Sequence, residues 1–154
     1  MRPVPALFDT GALELLRRRC RRVESLALKN YPPVVCSHVV GEYIYAQFQT
    51  RATDATVIAA RLFLAPFEML AQTTLTPDLC AQVRARLLAE GIPAPDPICW
   101  IAAHALEQQL PVVTTDRHFR RVTGLKVHLV KSPLAGEKKD APLARDAFEV
   151  FRTG

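Results

Sequence analysis

The feature that most constrains the fold of this chain is an alternation of short apolar runs with segments of helical periodicity. Apolar runs rich in β-formers lie at residues 4–8, 31–37, 67–70, 110–115 and 126–130. Between them, apolar residues recur at the three- and four-residue spacing of amphipathic helices. Strands that alternate with helices predict an α/β fold, in which helices flank both faces of a parallel sheet.

The segments between these runs predict a series of helices with recognisable ends. Ser37 is the expected N-cap of the second helix. Thr76-Pro77-Asp78 is expected to open the fourth helix and Gly91 to end it, because a cap residue, an early proline and a stop glycine stand in suitable places. The predicted helices span residues 12–27, 37–48, 54–65, 76–91 and 97–109, and a short helical turn covers 117–122.

Length and composition indicate one globular domain. The chain has 154 residues, of which 49% are hydrophobic and 23% charged, enough for a single domain with its own core. We expect this domain over residues 1–130, followed by a C-terminal extension, 131–154, of uncertain structure that carries an amphipathic piece near Leu143, Ala147 and Phe151. The net charge of +5 favours polyanionic partners only weakly.

The cysteines and histidines are dispersed and form no metal-binding motif. The four cysteines lack CxxC or zinc-knuckle spacing, so we interpret them as small core residues in a reducing compartment. The histidines are equally scattered, which disfavours a zinc site. The N-terminus has no apolar signal region, and Arg61, Pro66 and Glu68 interrupt the longest apolar stretch. By elimination, we expect a cytoplasmic protein.

Four acidic residues occupy equivalent places in the predicted fold. Asp9 follows the first strand and Asp116 follows the strand at 110–115. Glu42 lies in the second turn of a helix that follows a strand, and Asp96 lies at the start of another helix. The carboxyl ends of parallel strands, and the helices that begin there, share one edge of the sheet, where ligands gather. The four carboxylates can therefore converge.

Such a group of carboxylates predicts a site for a hard divalent cation. Packed carboxylates repel one another, and some become protonated unless a cation neutralises them. Oxygen ligands suit Mg²⁺ or Mn²⁺, which can activate water and stabilise a phosphate during its transfer; two such ions could clamp the attacking and leaving oxygens. Thr114, close to Asp116, could orient the site by hydrogen bonding.

Each acid also has a purely structural interpretation. Asp9 could form a turn and cap the next helix, and Asp96 precedes a proline as a good N-cap does. Asp116 could be a loop acid that pairs with the basic residues at 117–118. Glu42 could lie on a solvated face, although its neighbours are apolar. Each signal is weak alone, and the placement of all four at one edge is more specific.

Basic and aromatic residues give weaker indications of a nucleic-acid substrate. The run RRRCRR at 17–22 is typical of a solvated helix face, although its arginines could contact phosphates. Tyr43 and Tyr45 could stack on bases, but tyrosines in an apolar helix more often belong to the core. An accessible RNA strand, such as a loop, would suit this site better than a duplex. The residues best placed to bind substrate are Arg117, Arg120 and Arg121.

Three stretches resemble the PIN-domain ribonucleases, of the kind found as VapC-type toxins in toxin–antitoxin pairs. They are ALFDTGAL (6–13), VVCSHVVGEYIY (34–45) and, most specifically, DPICWIAAHALEQQLPVVTTDRHFRRVTGLKV (96–127). The resemblance covers roughly residues 4–130. It implies a PIN-like three-layer sandwich with a central parallel sheet, and a metal-dependent endoribonuclease site with catalytic Asp9, Glu42, Asp96 and Asp116, metal ligands Asp9, Asp96 and Asp116, and a supporting Thr114.

The resemblance further implies an RNA substrate, Mg²⁺ or Mn²⁺ as cofactor, a cognate antitoxin protein and a homodimer. The chain departs from the family at Gly11, where Ser or Asn is usual, so a supporting hydrogen bond beside the acids is not expected there. Two other functions remain open. The chain could be a non-catalytic PIN-like module that binds RNA or protein. A phosphatase is disfavoured, because FDTG lacks the second acid of a DxD motif.

Overall fold

The structure is a computed structural model that describes residues 3–50 and 53–131. It contains short strands and longer helices in alternation, as the sequence predicts. The strands are β1 (Ala6–Phe8), β2 (Pro33–Cys36), β3 (Glu68–Leu70), β4 (Val112–Thr114) and β5 (Val127–Leu129). The helices are α1 (Thr10–Arg17), α2 (Arg21–Lys29), α3 (Ser37–Gln49), α4 (Asp54–Leu64), α5 (Leu75–Ala89) and α6 (Asp96–Glu107), with a short 3-10 helix at Arg117–Arg121.

The strands form one parallel sheet in the order β3-β2-β1-β4-β5, flanked by helices. The chain builds outward from β1 to β3 and then returns to place β4 on the other side of β1. The strand order therefore reverses between β1 and β4. In open α/β sheets such a reversal leaves a crevice at the carboxyl ends of the strands, where ligands bind. This arrangement confirms the predicted fold class.

The inner strands and the helix before β4 form the centre of the core, to which the other helices also contribute. The side chains of β1 and β4 are completely buried, as expected for central strands that helices cover on both faces. Helix α6 is apolar around most of its circumference, and Ala102, Ala103 and Ala105 are inaccessible to solvent. Small side chains there allow the helix to approach its neighbours closely. The core thus fixes the two strands that lead to the candidate site.

The prediction of one continuous helix over residues 12–27 is wrong. Helix α1 ends at Arg17, and Arg19 adopts a left-handed conformation with φ of 59°. The amides of Arg19 and Cys20 donate to the carbonyls of Leu16 and Leu15, which is the Schellman motif that ends many helices. The periodicity is misleading because α2 continues the apolar face of α1 into the same core.

Two predicted helix caps are also wrong. Cys36, not Ser37, precedes the first turn of α3, and no side chain caps it. Helix α5 begins at Leu75, so Thr76 lies inside it. The Thr76 hydroxyl donates to Glu107 Oε2 at 2.5 Å and thereby joins the start of α5 to the end of α6. Gly91 does end the helical segment, with φ of 71°, which glycine adopts without strain.

The predicted amphipathic piece near Leu143, Ala147 and Phe151 lies outside the described residues. In the described ranges, 3–50 and 53–131, no helix is both long and apolar enough to cross a membrane.

Candidate active site

Asp9 is the first residue beyond β1 and has two structural roles at once. Its Oδ1 accepts a hydrogen bond from the backbone amide of Ala12 at 2.8 Å, and so caps α1. Its Oδ2 accepts a hydrogen bond from the Thr114 hydroxyl at the end of β4. The side chain is only 6% exposed. The predicted helix cap is therefore confirmed, and the same carboxylate lies between the carboxyl ends of β1 and β4.

The surroundings of Asp9 oppose its ionisation. Burial raises the pKa of this carboxyl from 3.8 to about 6, although the hydrogen bonds from Thr114 and Ala12 work in the opposite direction. The negative charges of Asp116 and Glu42 raise the pKa further. Asp9 thus lies close enough to these two acids to respond to their charge, and the three form the group that we call the acid cluster.

Thr114 connects the two central strands. It is the last residue of β4 and is fully buried. While its hydroxyl donates to Asp9, the same oxygen accepts the backbone amide of Asp116 at 2.8 Å. One side chain therefore orients the carboxylate that follows β1 and the backbone that carries the acid after β4.

Asp116 and Glu42 each have a hydrogen-bonding partner of their own. Asp116 Oδ1 accepts the backbone amide of His118 at 2.8 Å and lies 2.6 Å from Nδ1 of the same histidine. Asp116 therefore pairs with His118, as the structural interpretation of this acid predicted. Glu42 Oε2 accepts the hydroxyl of Thr10 at 2.9 Å, which ties the second turn of α3 to the start of α1.

Asp96 is held differently from the other three acids. It is the first residue of α6, is 66% exposed, and forms an ion pair with Arg84 of α5. Among the described residues, no contact joins Asp96 to the acid cluster, and no three Asp, Glu, His or Cys side chains are arranged to hold a metal ion. The structure thus brings together three of the four predicted acids, each with a partner of its own.

The predicted substrate-binding arginines separate into two groups. Arg117 and Arg120 lie exposed on the short helix that Asp116 caps. Arg121 instead lines a groove of about 270 Å³ beside α5, together with Arg86 and other residues. The first two are therefore adjacent to the acid cluster in the chain, whereas Arg121 contributes to a different surface.

Three of the other candidate nucleic-acid contacts have structural roles. Arg17 and Arg18 both bind Glu14, with nitrogen–oxygen distances of 2.7 Å, which favours a solvated helix face. Tyr43 is 2% exposed and stacks on Phe63 with ring centroids 5.6 Å apart. Its proposed stacking on bases is therefore wrong, because the ring belongs to the core.

Two residues that contact the predicted acids were not predicted from the sequence. Thr10 immediately follows Asp9 and opens α1, so its position next to a predicted site acid was an available signal. Arg84 gave no such signal. It meets Asp96 only because α5 and α6 pack as an antiparallel hairpin, and the spacing of apolar residues does not reveal which positions of two helices face each other.

Comparison with known proteins gives a family and a fold. The sequence model of the PIN domain family matches residues 6–125. No match to a curated protein sequence was found.

Among solved structures, the chain resembles VapBC2 from Rickettsia felis, bound to a promoter DNA fragment, with a TM-score of 0.72, 17% identity, and coverage of 83% of this chain and 100% of that chain. It resembles VapBC-1 from nontypeable Haemophilus influenzae with a TM-score of 0.73, 20% identity, and coverage of 82% and 98%. It resembles DNA-bound VapBC from Salmonella typhimurium with a TM-score of 0.68, 24% identity, and coverage of 81% of this chain and 97% of that chain.

The structural matches are low in identity and establish the fold, while the sequence match extends over most of the chain. Both agree with the central parallel sheet flanked by helices. The chain belongs to the PIN domain family.

Proposed function

We propose that this protein is a metal-dependent endoribonuclease that cleaves RNA phosphodiester bonds at Asp9, Glu42, Asp96 and Asp116, and that it is the toxin of a toxin–antitoxin pair. The observation that carries the proposal is the buried Asp9 carboxylate between the carboxyl ends of β1 and β4, with two more acids near enough to raise its pKa. Membership of the PIN domain family supports nuclease activity.

The donor atoms in this region fit Mg²⁺ or Mn²⁺. They are carboxylate oxygens, which hard divalent cations prefer. A positive charge would offset the cost of burying the ionised Asp9 carboxylate, and the repulsion from Asp116 and Glu42 that adds to it. Mg²⁺ usually keeps several waters and needs only one or two carboxylates, so a complete cage of protein ligands is unnecessary. Asp9 and Asp116 would hold the ion, and Asp96 would join them when its ion pair opens.

Opening the ion pair between Asp96 and Arg84 would cost little. Both side chains are substantially exposed, at 66% and 42% respectively, and exposed ion pairs contribute only about 1 kcal/mol or less to stability. A cation that attracts the Asp96 carboxylate can therefore compete with the guanidinium. The fourth acid is thus available to the site, although its present partner is Arg84.

In this proposal the residues of the chain orient the acids and the substrate. Thr114 fixes the direction of the Asp9 carboxylate, and Thr10 does the same for Glu42. Arg117 and Arg120 would bind the phosphates that flank the cleaved bond, which makes substrate binding sensitive to salt. A bound divalent cation supplies Lewis acidity that stabilises negative charge on the phosphate and favours ionisation of water.

Two kinds of observation support a toxin with an antitoxin partner. The similar solved structures include VapBC complexes from three bacteria and one described as a toxin-antitoxin complex from Klebsiella pneumoniae. The chain also exposes large apolar side chains on α3 and α4, which an antitoxin segment could cover. These are Tyr45, Phe48, Ile58 and Leu62. A homodimer and a cytoplasmic location are parts of the same proposal.

RNA cleavage in the presence and absence of metal tests the proposal directly. The purified chain is incubated with an RNA that contains single-stranded loops, in Mg²⁺, in Mn²⁺ and in EDTA. Cleavage should require the cation and should be lost in Asp9→Asn. The control, Asp78→Asn, changes an exposed acid in the first turn of α5 and should cleave normally. Cleavage that persists both in EDTA and in Asp9→Asn would contradict the proposal.

The second candidate is a non-catalytic module that binds RNA. It is favoured by the absence, among the described residues, of a three-side-chain group able to hold a metal ion. Fluorescence anisotropy with labelled RNA distinguishes the two functions. Salt-sensitive binding that Asp9→Asn leaves unchanged, without cleavage under any metal condition, would favour the module.

A further inference from the structure

Gly11 lies in the first turn of α1, two residues after Asp9. Its backbone does not adopt the left-handed conformation that favours glycine, so the local geometry would accept any residue. Glycine is also less favourable than alanine within a helix. Its presence is therefore better explained by the space around it than by its flexibility.

The space beside Gly11 is occupied by Thr115. A Cβ atom added at residue 11 would overlap Thr115 Oγ1, and it would lie 3.5 Å from Thr115 Cβ and 3.6 Å from Asp9 Oδ1. Any side chain at residue 11 would therefore displace the Thr115 hydroxyl. With glycine there, this hydroxyl borders the same small volume as the Asp9 carboxylate.

The Thr115 hydroxyl differs from the other two threonine hydroxyls near the acids. Thr10 donates to Glu42 and Thr114 donates to Asp9. Within residues 3–50 and 53–131, by contrast, the Thr115 side chain has no hydrogen-bonding partner, and the residue is half-buried. A half-buried hydroxyl without a protein partner is available to water or to a ligand.

We propose that Thr115 is a positioning residue of the site, whose hydroxyl hydrogen-bonds the hydration shell of a divalent cation held by Asp9, and that Gly11 provides the space for it. The role toward the cation rests on the proposed nuclease function. The steric relation between Gly11 and Thr115 does not, because it concerns only the folded chain. The two parts can therefore be tested separately.

Calorimetric titration of the full chain with Mn²⁺ alone tests whether the Thr115 hydroxyl contributes to cation binding. Thr115→Val keeps the shape of the side chain and removes the hydroxyl, and it should weaken Mn²⁺ binding roughly tenfold, the effect expected when a group that orients a metal site is lost. Thr115→Ser keeps the hydroxyl and should bind as the wild type does. The control, Thr123→Val, changes an exposed threonine before β5 and should bind normally.

A double-substitution cycle tests whether Gly11 provides the space for the Thr115 hydroxyl. Gly11→Ser should lower the melting temperature by several degrees, because the new side chain overlaps Thr115. Combining it with Thr115→Ala removes the overlapping oxygen and should restore the melting temperature. The same double variant carries a hydroxyl on residue 11 instead of residue 115, so Mn²⁺ affinity should also recover relative to Thr115→Ala alone.

The possible results separate this inference from the proposed function. If Thr115→Val binds Mn²⁺ as tightly as the wild type while Asp9→Asn does not, the role of Thr115 is overturned and the cation site stands. If Gly11→Ser melts at the wild-type temperature, the steric relation is overturned. If the wild-type chain binds no Mn²⁺, the proposed function and the hydroxyl's role both fail.

Discussion

The buried carboxyl of Asp9 should dominate the pH dependence of stability in the absence of metal. Its pKa is about 6 in the folded chain, against 3.8 as the reference value. Because the folded state holds this proton more tightly than the unfolded state, the contribution of this carboxyl to stability is fully present below pH 3.8 and is lost as the pH rises through about 6. At about 1.4 kcal/mol for each pH unit, the full loss is about 3 kcal/mol.

The substitution Asp9→Asn removes this cost but weakens the hydrogen bonding. The asparagine oxygen can accept from either the Ala12 amide or the Thr114 hydroxyl, but its amide nitrogen cannot accept from the other. The loss of one hydrogen bond costs about 1 kcal/mol. The variant should therefore be more stable than the wild type by about 2 kcal/mol near pH 8, where the wild-type carboxyl is ionised.

Near pH 5 the advantage of the variant should be smaller. At this pH the carboxyl is mostly protonated in the folded wild type and mostly ionised in the unfolded wild type. About half of the 3 kcal/mol loss of wild-type stability has therefore occurred. The difference between the two chains should fall to about 0.5 kcal/mol. Urea unfolding in EDTA at both pH values measures it, with Asp78→Asn as the control that should show no such change.

Two outcomes would refute this reasoning. One is a difference between Asp9→Asn and the wild type that does not change with pH, which would mean that this carboxyl has an ordinary pKa in the folded chain. The other is a variant less stable than the wild type near pH 8, which would mean that the hydrogen bonds of Asp9 outweigh the cost of burying its charge.

Two further predictions concern the α5–α6 hairpin. Arg84→Met should release Asp96 and tighten Mn²⁺ binding several-fold in calorimetry, whereas Arg86→Met on the same helix should not; weaker binding would mean that the arginine holds Asp96 in place for the cation. Thr76→Val should destabilise the chain by about 1 kcal/mol in urea unfolding, because a partly buried hydrogen bond to Glu107 is lost, yet RNA cleavage should be unchanged. A fully folded variant with reduced cleavage would contradict this structural role.

The arrangement of the sheet and part of the site follow from sequence rules. Parallel strands present their carboxyl ends at one edge, so the placement of Asp9 and Asp116 after two predicted strands was enough to predict that both lie at the same edge of the sheet. The structure adds that β1 and β4 are adjacent and that the strand order reverses between them. Because the strand order depends on long-range packing, periodicity along the chain could not supply it.

The features that escaped prediction have two physical origins. Asp96 meets Arg84 because two helices pack in a particular register, which depends on side-chain fit between segments distant in sequence. The break after α1 depends on Arg19 in a conformation usually reserved for glycine, so the residue type gives no warning. Thr76 shows the related case in which a plausible cap residue finds a partner in another helix.

Because the Thr114 hydroxyl contacts both Asp9 and the backbone of Asp116, the geometry of the site depends on the register between β1 and β4. In the observed pairing, Leu7 faces Val112 and Phe8 faces Val113, which brings Thr114 opposite Asp9. A slip by one residue would turn every side chain of β4 to the other face of the sheet and deprive the buried acid of its donor. The relative position of the acids is thus set by the backbone hydrogen bonds between β1 and β4. A mutation that weakens the pairing of these strands would misalign the acids without changing any carboxylate.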